Sequence, residues 1–473
     1  MTNEPGDPGP AGERERVLDL VRRHGWNSTA FQTLEHGYSY FFHGDACVAY
    51  VETARARARV VAGAPIAASD VITATTRAFV DDTVAAGKRC SFVATEERFV
   101  AATAEFLRAV PIGEQPVWDP RTWPERLKSR KSLREQLRRA RAKGVKIREL
   151  AAAELASGPT REAIAGIAQR WLDGRDMAPM EFLVRMEPFT VPSDRRCFVA
   201  ERDGAIVGFA AVIPVPARGG WFIEDLVREP DAPNGTIESL VDAVMRWAAE
   251  AGCEWLTLGL APLAGDVSGL LRFARRRTSF FYDFEGLHAF KAKLGPNDWA
   301  PIHLSFPPHQ GVLRSFADVL VAFSGGGLLR FVVRSLLRGP KAVIRLFALL
   351  LVPWTVLLAI APAEPWFGAV WAKWAWVAFD VLLVAGLFRA LRRPTRAVFT
   401  ALAVAVTADA VLTLVHAVLW HGGRAHDALG LAMIALACTG PVAAAILLWG
   451  ATRRIADRLR ATRPQARAGT RAP

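Results

Sequence analysis

Hydropathy divides this chain more sharply than any motif does. Four apolar stretches follow one another after Lys341, at about Leu346–Ala363, Trp366–Phe388, Ala397–Trp420 and Ala428–Gly450. Each approaches the length that crosses roughly 30 Å of hydrocarbon. Pro353 and Pro441 fall inside two of them, and neighbouring helices can satisfy the carbonyls that a proline frees. The flanking charge has a consistent sense. Lys341 and Arg345 precede the first stretch, Arg389, Arg392, Arg393 and Arg396 lie between the second and third, and Arg453, Arg454, Arg458 and Arg460 follow the fourth. The opposite loops hold one cation, Arg424. A positive-inside arrangement then puts both termini in the cytosol. Asp380, Asp409 and His416 fall within the stretches, as polar helix contacts or as groups serving transport. Met1–Glu15 is polar and lacks an apolar h-region, so no signal peptide is expected.

The net charge of +13 over 473 residues points to an acidic partner, nucleic acid or anionic lipid. It is concentrated in three places. Arg121–Glu149 holds twelve Lys/Arg against three acids, and Gly311–Arg345 and Ala451–Pro473 are also strongly cationic. In Gly311–Pro340, Arg330, Arg334 and Arg338 recur every four residues around Phe331, Val332, Leu336 and Leu337. That pattern reads as a basic amphipathic helix on an anionic leaflet, with an ordinary linker helix as the alternative. The five cysteines lie far apart with no zinc-ligand or redox spacing, so free thiols in a reducing compartment are expected, and no metal.

Before residue 311 the pattern is mixed α/β. Tyr38–Phe42, Cys47–Thr53 and Arg59–Ala62 alternate as a strand meander. Ser69–Ala86 has helical spacing, Ser91–Thr95 is a strand and Glu96–Arg108 a second helix. In 129–143, Leu133, Leu137 and Ala140 share one helical face, while Arg134, Arg138, Arg139, Arg141 and Lys143 crowd the remainder, and Gly144 stops the helix. Uncompensated like charges four residues apart destabilise a helix. A phosphate-bearing partner explains them better than a merely solvated face does.

Strands at Arg196–Glu201, Ala205–Val215 and Trp221–Val227 lead to a helix ending near Glu250 and a strand at Trp255–Leu260. This β-β-β-α-β order looks like the core of a GNAT-type acyltransferase. Its helix opens at Pro233-Asn234-Gly235-Thr236, and a helix N-terminus is an anion site. CoA-using members of that fold wrap pyrophosphate with a glycine-rich turn. Here Arg228–Gly235 holds one glycine and two prolines, and proline removes an N–H donor. A donor other than CoA is expected.

At these residues the chain resembles the synthetase domain of the lysylphosphatidylglycerol synthetase family, the multiple peptide resistance factors. The likeness covers about residues 30–305. It rests on the basic helix, on Phe198-Val199-Ala200-Glu201 with Val207-Gly208-Phe209, and on Glu224-Asp225-Leu226 with Arg228 and Asp231–Thr236. Leu258–Leu263, Phe281–Leu287, Phe290-Lys291-Ala292-Lys293 and Trp299 complete it. The resemblance implies tandem GNAT-like domains, 30–150 and 151–310, after an N-terminal extension (1–29). A basic amphipathic linker (311–340), four transmembrane helices (341–450) and a basic cytosolic tail (451–473) follow. It implies transfer of an aminoacyl group from aminoacyl-tRNA to a hydroxyl of phosphatidylglycerol, at the cytosolic face of the cell membrane. An aminoacyl ester is already activated, so no cofactor is expected.

In that reading Asp225 and Glu238 are candidates for amine binding or for the base. Arg228, Asn234, Gly235, Tyr282, Lys291, Lys293 and Trp299 are candidates for substrate contacts, and Arg134, Arg138, Arg139, Arg141 and Lys143 for tRNA. Each has a purely structural alternative: Asp225 as a salt-bridge partner, Glu238 as a first-turn acid, Asn234-Gly235 as a turn, Tyr282 and Trp299 as core. Family members commonly carry many helices before this domain and Pro-Arg-Tyr after the tryptophan, where this chain has Ala300-Pro301-Ile302-His303. Two other functions stay open, a CoA-dependent acyltransferase and a non-catalytic tRNA- or lipid-binding scaffold.

Overall fold

Alternating apolar residues become strands wherever a turn-former lets the chain reverse. The computed structural model describes residues 9–53, 57–175, 177–265, 284–325, 327–338, 340–367, 369–392, 395–421 and 428–461. It divides into two compact units, one formed mainly by the chain up to Phe331 and the other mainly by Val332 onward.

In the first unit, β1 (Ser39–Phe42), β2 (Cys47–Glu52) and β3 (Ala58–Ala62) form the anticipated antiparallel meander. Helix α2 (Ile72–Ala85) crosses over to β4 (Arg89–Thr95), which is parallel to β3. A parallel neighbour requires such a crossover. Further on come β5 (Arg108–Trp118), β6 (Lys146–Glu149), β7 (Arg196–Arg202), β8 (Ala205–Val215) and β9 (Gly220–Arg228). Helix α8 (Thr236–Glu250) precedes β10 (Leu256–Thr257), β11 (Ala261–Pro262) and β12 (Asp298–Phe306). The expected β-β-β-α-β succession is therefore present as β7, β8, β9, α8 and β10.

All these strands join one sheet, ordered β1-β2-β3-β4-β12-β5-β10-β9-β8-β7-β6, with β11 also on β5. The two sequence-defined halves are thus interleaved. The late strand β12 lies between β4 and β5, and β5 pairs with β10. The basic helix α5 (Lys131–Ala142) packs on α8, across the expected boundary at residue 150. On the α8 face, Leu133, Ala140, Ile223, Leu240, Val244 and Met245 form a common core. Burial of such side chains is worth about 1.5–3 kcal/mol each. Helix α1 (Gly9–His24) buries Val17, Leu20 and Val21 against Phe31, Ile213 and Phe222, so residues 9–24 belong to the domain core and are no extension to it. Likewise Val312–Phe323, expected within a membrane linker, packs Val319 and Ala322 beside Val60, Val93 and Phe306. Arg89 pairs with Asp318 on that helix at 2.6 Å.

The second unit contains the helices Pro340–Ile360, Val370–Arg392, Arg396–His416 and Ala428–Ala461. They share a core that includes Ala348, Leu387, Phe399, Ala403, Ala445 and Leu448. Two helical segments, Val370–Ala390 and Ala397–Leu419, are long and apolar enough to cross a membrane. Phe347–Ile360 and Ile434–Gly450 are shorter apolar helices among the described residues, so four spans are not established. Leu349, Trp371, Leu382, Val418, Leu419 and Ile446 are strongly exposed. An apolar surface of that extent belongs in lipid or against a partner.

Candidate active site

The parallel strands β9 and β10 pair only at Trp221↔Leu256 and Phe222↔Thr257. Beyond that point β9 continues to Arg228 beside β8. The chain after Thr257 instead returns to β5, at Ala261↔Glu114 and Pro262↔Gly113. The two paths diverge into a cleft, walled by residues 223–228 on one side and 258–262 on the other. Gly259 sits at its closed end with φ +68°, and a Cβ there would lie 2.7 Å from the Phe222 ring. Only glycine meets both conditions.

Lys291 holds the second wall. It is buried on the helix Phe284–Lys293, and its Nζ donates to the carbonyls of Leu258, Gly259 and Leu260 at 2.8, 2.8 and 2.9 Å. Those bonds occupy all three ammonium protons. Burial pushes its pKa down to about 7, while the three carbonyls favour the charged form. Lys291 is thus an internal tie, and no headgroup ligand is needed to explain its charge.

The first wall carries the acids. A bulge between Ala211 and Val212 makes Glu224 the extra residue of β9 and turns Glu224 and Asp225 toward one face. Ile223 and Leu226 pack on the α8 side, whereas Phe222 and Val227 pack on the opposite face. Asp225 is buried, with one carboxylate oxygen unpartnered among the described residues. Burial raises its pKa, Glu224 adds to the rise, and Arg195 opposes it. Arg195 is buried, donates to Glu224, and bonds the Thr190 carbonyl at 3.1 Å. Glu35 is also buried and is held protonated, by burial first and by Glu224 second. Three carboxyl groups thus meet one guanidinium. Unpartnered oxygens remain on Glu35, Tyr38, Glu224 and Asp225 among the described residues, so the cluster is suited to receive a group that brings hydrogen-bond donors.

A family model described as "Phosphatidylglycerol lysyltransferase, C-terminal" matches residues 18–304. The chain belongs to that family. The phosphatidylglycerol lysyltransferase of Bacillus subtilis is 28% identical over 153 residues, covering 31% of this chain and 18% of that protein. The lysylphosphatidylglycerol biosynthesis bifunctional protein LysX of a Mycobacterium species is 25% identical over 248 residues, 46% of this chain and 22% of that protein. The chain therefore matches about a fifth of the length of these relatives. Two solved structures share the fold. One is the C-terminal domain of a putative lysylphosphatidylglycerol synthetase from Agrobacterium fabrum, with TM-score 0.57, 24% identity, and coverage of 67% of this chain and 98% of that one. The other is L-PGS from Bacillus licheniformis, with TM-score 0.56, 21% identity, and coverage of 68% and 97%.

In this lysyltransferase-family fold the sequence-derived candidates separate into distinct places. Glu238 does not join Asp225. It lies in the first turn of α8, on the other face of β9, and pairs with Lys293 at 2.7 Å. Gly235, with φ +97°, permits close packing: a Cβ there would stand 2.1 Å from the Gln136 carbonyl oxygen of α5. The start of α8 is therefore covered by another helix and is not an open anion cradle; Asn234 beside it is exposed. Arg228 ends the cleft wall and bonds the Ala232 carbonyl at 2.8 Å, closing the turn toward α8. Trp299 stacks on His288 at 4.5 Å. Tyr282 lies outside the described residues. On α5, Leu133, Leu137 and Ala140 are buried as the spacing requires, and Arg134, Arg138, Arg139, Arg141 and Lys143 are exposed. Glu135 accepts from Arg138 and Arg139, and Arg134 folds back onto the Leu127 carbonyl. Arg141 and Lys143 extend the cationic surface.

Sequence reasoning missed Glu35, Arg195, Glu114 and His288. Glu224 was visible only as the neighbour of Asp225. Nothing in the local pattern marks Glu35 or Arg195, because each meets the site through a loop that tertiary packing lays across the sheet.

Proposed function

We propose that this chain transfers an aminoacyl group from aminoacyl-tRNA to a hydroxyl of phosphatidylglycerol or a related anionic lipid, at the cytosolic face of the cell membrane. The observation that carries the reading is the buried acidic cluster formed by Glu224 and Asp225 on the cleft wall with Glu35 beside them. An aminoacyl ester brings an ammonium group beside its reactive carbonyl, and hydrogen bonds to the unpartnered carboxyl oxygens of this cluster orient it. The exposed cations of α5 supply the surface for the tRNA backbone. The apolar helices of the second unit supply a membrane attachment for the chain, and lysine is the cargo that the relatives' names suggest. A CoA-dependent reaction is less well supported, because Pro230, Pro233 and the Gln136 carbonyl leave no pyrophosphate cradle at α8.

The test is expression in a host without aminoacylated lipids, followed by mass spectrometry of the extracted lipid. An aminoacyl-phosphatidylglycerol species is expected. An unchanged lipid profile with well-expressed, membrane-integrated protein would refute the proposal.

A further inference from the structure

A second constellation faces the cleft from the α8 side of the sheet. His288 and Lys291 lie one helical turn apart on Phe284–Lys293, so they share a face. Lys291 grips the 258–260 wall, and His288 Nε2 meets Glu114 Oε1 at 3.0 Å. Glu114 is on the central strand β5, at the register where the cleft wall rejoins the sheet opposite Ala261. The imidazole also stacks on Trp299, with ring centroids 4.5 Å apart and planes 30° from parallel. The backbone passes close to the other carboxylate oxygen, since a Cβ at Gly265 would come within 2.5 Å of Glu114 Oε2. Ring and carboxylate are thus both fixed. His288 keeps 38% of its side-chain surface exposed and Glu114 19%.

An ionised carboxylate only accepts hydrogen bonds, so the ring nitrogen facing it carries the proton. Neutral His288 is then the Nε2–H tautomer, with a lone pair on Nδ1. A base oriented by a carboxylate is the arrangement that proton transfer to and from oxygen requires. Most histidine–carboxylate pairs on protein surfaces are simple contacts. This one differs in its aromatic seat, its place on the helix whose Lys291 holds the 258–260 wall, and its distance in sequence (Glu114 is 174 residues away).

We propose that His288, oriented by Glu114 and seated on Trp299, is the proton acceptor and donor of the transfer reaction. The inference rests on the aminoacyl-transfer reading above. The lipid hydroxyl oxygen attacks the aminoacyl carbonyl carbon, and His288 Nδ1 takes the hydroxyl proton. The tetrahedral intermediate collapses, the bond to the tRNA ribose oxygen breaks, and His288 returns the proton to that oxygen. One ester forms as another is cleaved, with no redox change.

The experiment uses full-length protein in vesicles containing phosphatidylglycerol, with lysyl-tRNA as donor and lysyl-lipid as product. His288→Gln is expected to lower kcat roughly a hundredfold or more, with KM for lysyl-tRNA within about threefold. The same substitution should flatten the pH–rate profile on its acidic side. Glu114→Gln, which keeps the ring but loosens its tautomer, should fall between wild type and His288→Gln. Binding of lysyl-tRNA at the wild-type level shows that a variant is folded. Turnover by His288→Gln within about threefold of wild type, or an unchanged pH profile, overturns the assignment and leaves the transfer reading intact. Wild-type protein that makes no aminoacyl-lipid from any aminoacyl-tRNA overturns both.

Discussion

At the scale of single residues, the structure separates charges that bind from charges that hold. Lys291 is a holding charge: three carbonyls surround its ammonium, and they would be left without donors if it were removed. An orphaned buried acceptor costs about 1–3 kcal/mol. Lys291→Met, similar in length and apolar, should therefore lower stability by at least that amount, read as an earlier thermal transition. It should also lower turnover, because the cleft wall loses its tie. A variant with wild-type melting and activity would show that the wall stands without it.

Asp225 gives the opposite kind of test. Its pKa rises from 3.8 to about 8 on folding, chiefly through burial. Between those values the folded chain keeps a proton that the unfolded chain releases, so stability falls as pH rises through the window. Below about pH 4 both states are protonated and the penalty is absent. Thermal unfolding at pH 5 and pH 9 should show the wild type losing stability relative to Asp225→Asn as pH rises. Parallel behaviour of the two proteins would place Asp225 in a solvated site. The same substitution removes an acid from the cluster proposed to bind the amine.

At the scale of elements, the junction of α5 and α8 decides whether the basic helix is presented at all. Gly235 combines a left-handed φ with an approach of 2.1 Å from a would-be Cβ to the Gln136 carbonyl. Gly235→Ala meets strain and collision together, and a cost of roughly 1–3 kcal/mol is expected. The variant should melt earlier and bind tRNA more weakly, since α5 must shift away from α8. Unchanged melting would mean that the two helices are not packed this closely. The same junction explains why the helix start, anticipated as an anion site from Asn234-Gly235, serves packing instead. A turn sequence records that the backbone must bend, but not what fills the space beyond it.

At the scale of the whole molecule, the proposed function depends on bringing a polyanion to a lipid surface. Each phosphate contact contributes about 0.7–0.9 to the slope of log affinity against log salt. Arg141→Ala together with Lys143→Ala should weaken tRNA binding at low salt and reduce that slope by about 1.4–1.8. Equal slopes would move the tRNA path away from α5.

The sequence by itself determined the division between a mixed α/β part and an apolar helical part, because solvent preference is set locally by side-chain composition. It also determined the buried face of α5 through Leu133, Leu137 and Ala140, and the β7-β8-β9-α8-β10 succession, through periods that side chains impose on helix and strand. It marked Asp225 within a mixed motif. Tertiary structure alone decided that β12 separates β4 from β5, that α1 is core, and that Glu35 and Arg195 converge on Glu224 and Asp225. It also decided that Lys291 faces carbonyls, that Glu238 pairs with Lys293, and that His288 meets Glu114. These pairings join residues far apart in the chain, and their energy depends on which groups are desolvated together. No local period carries that information.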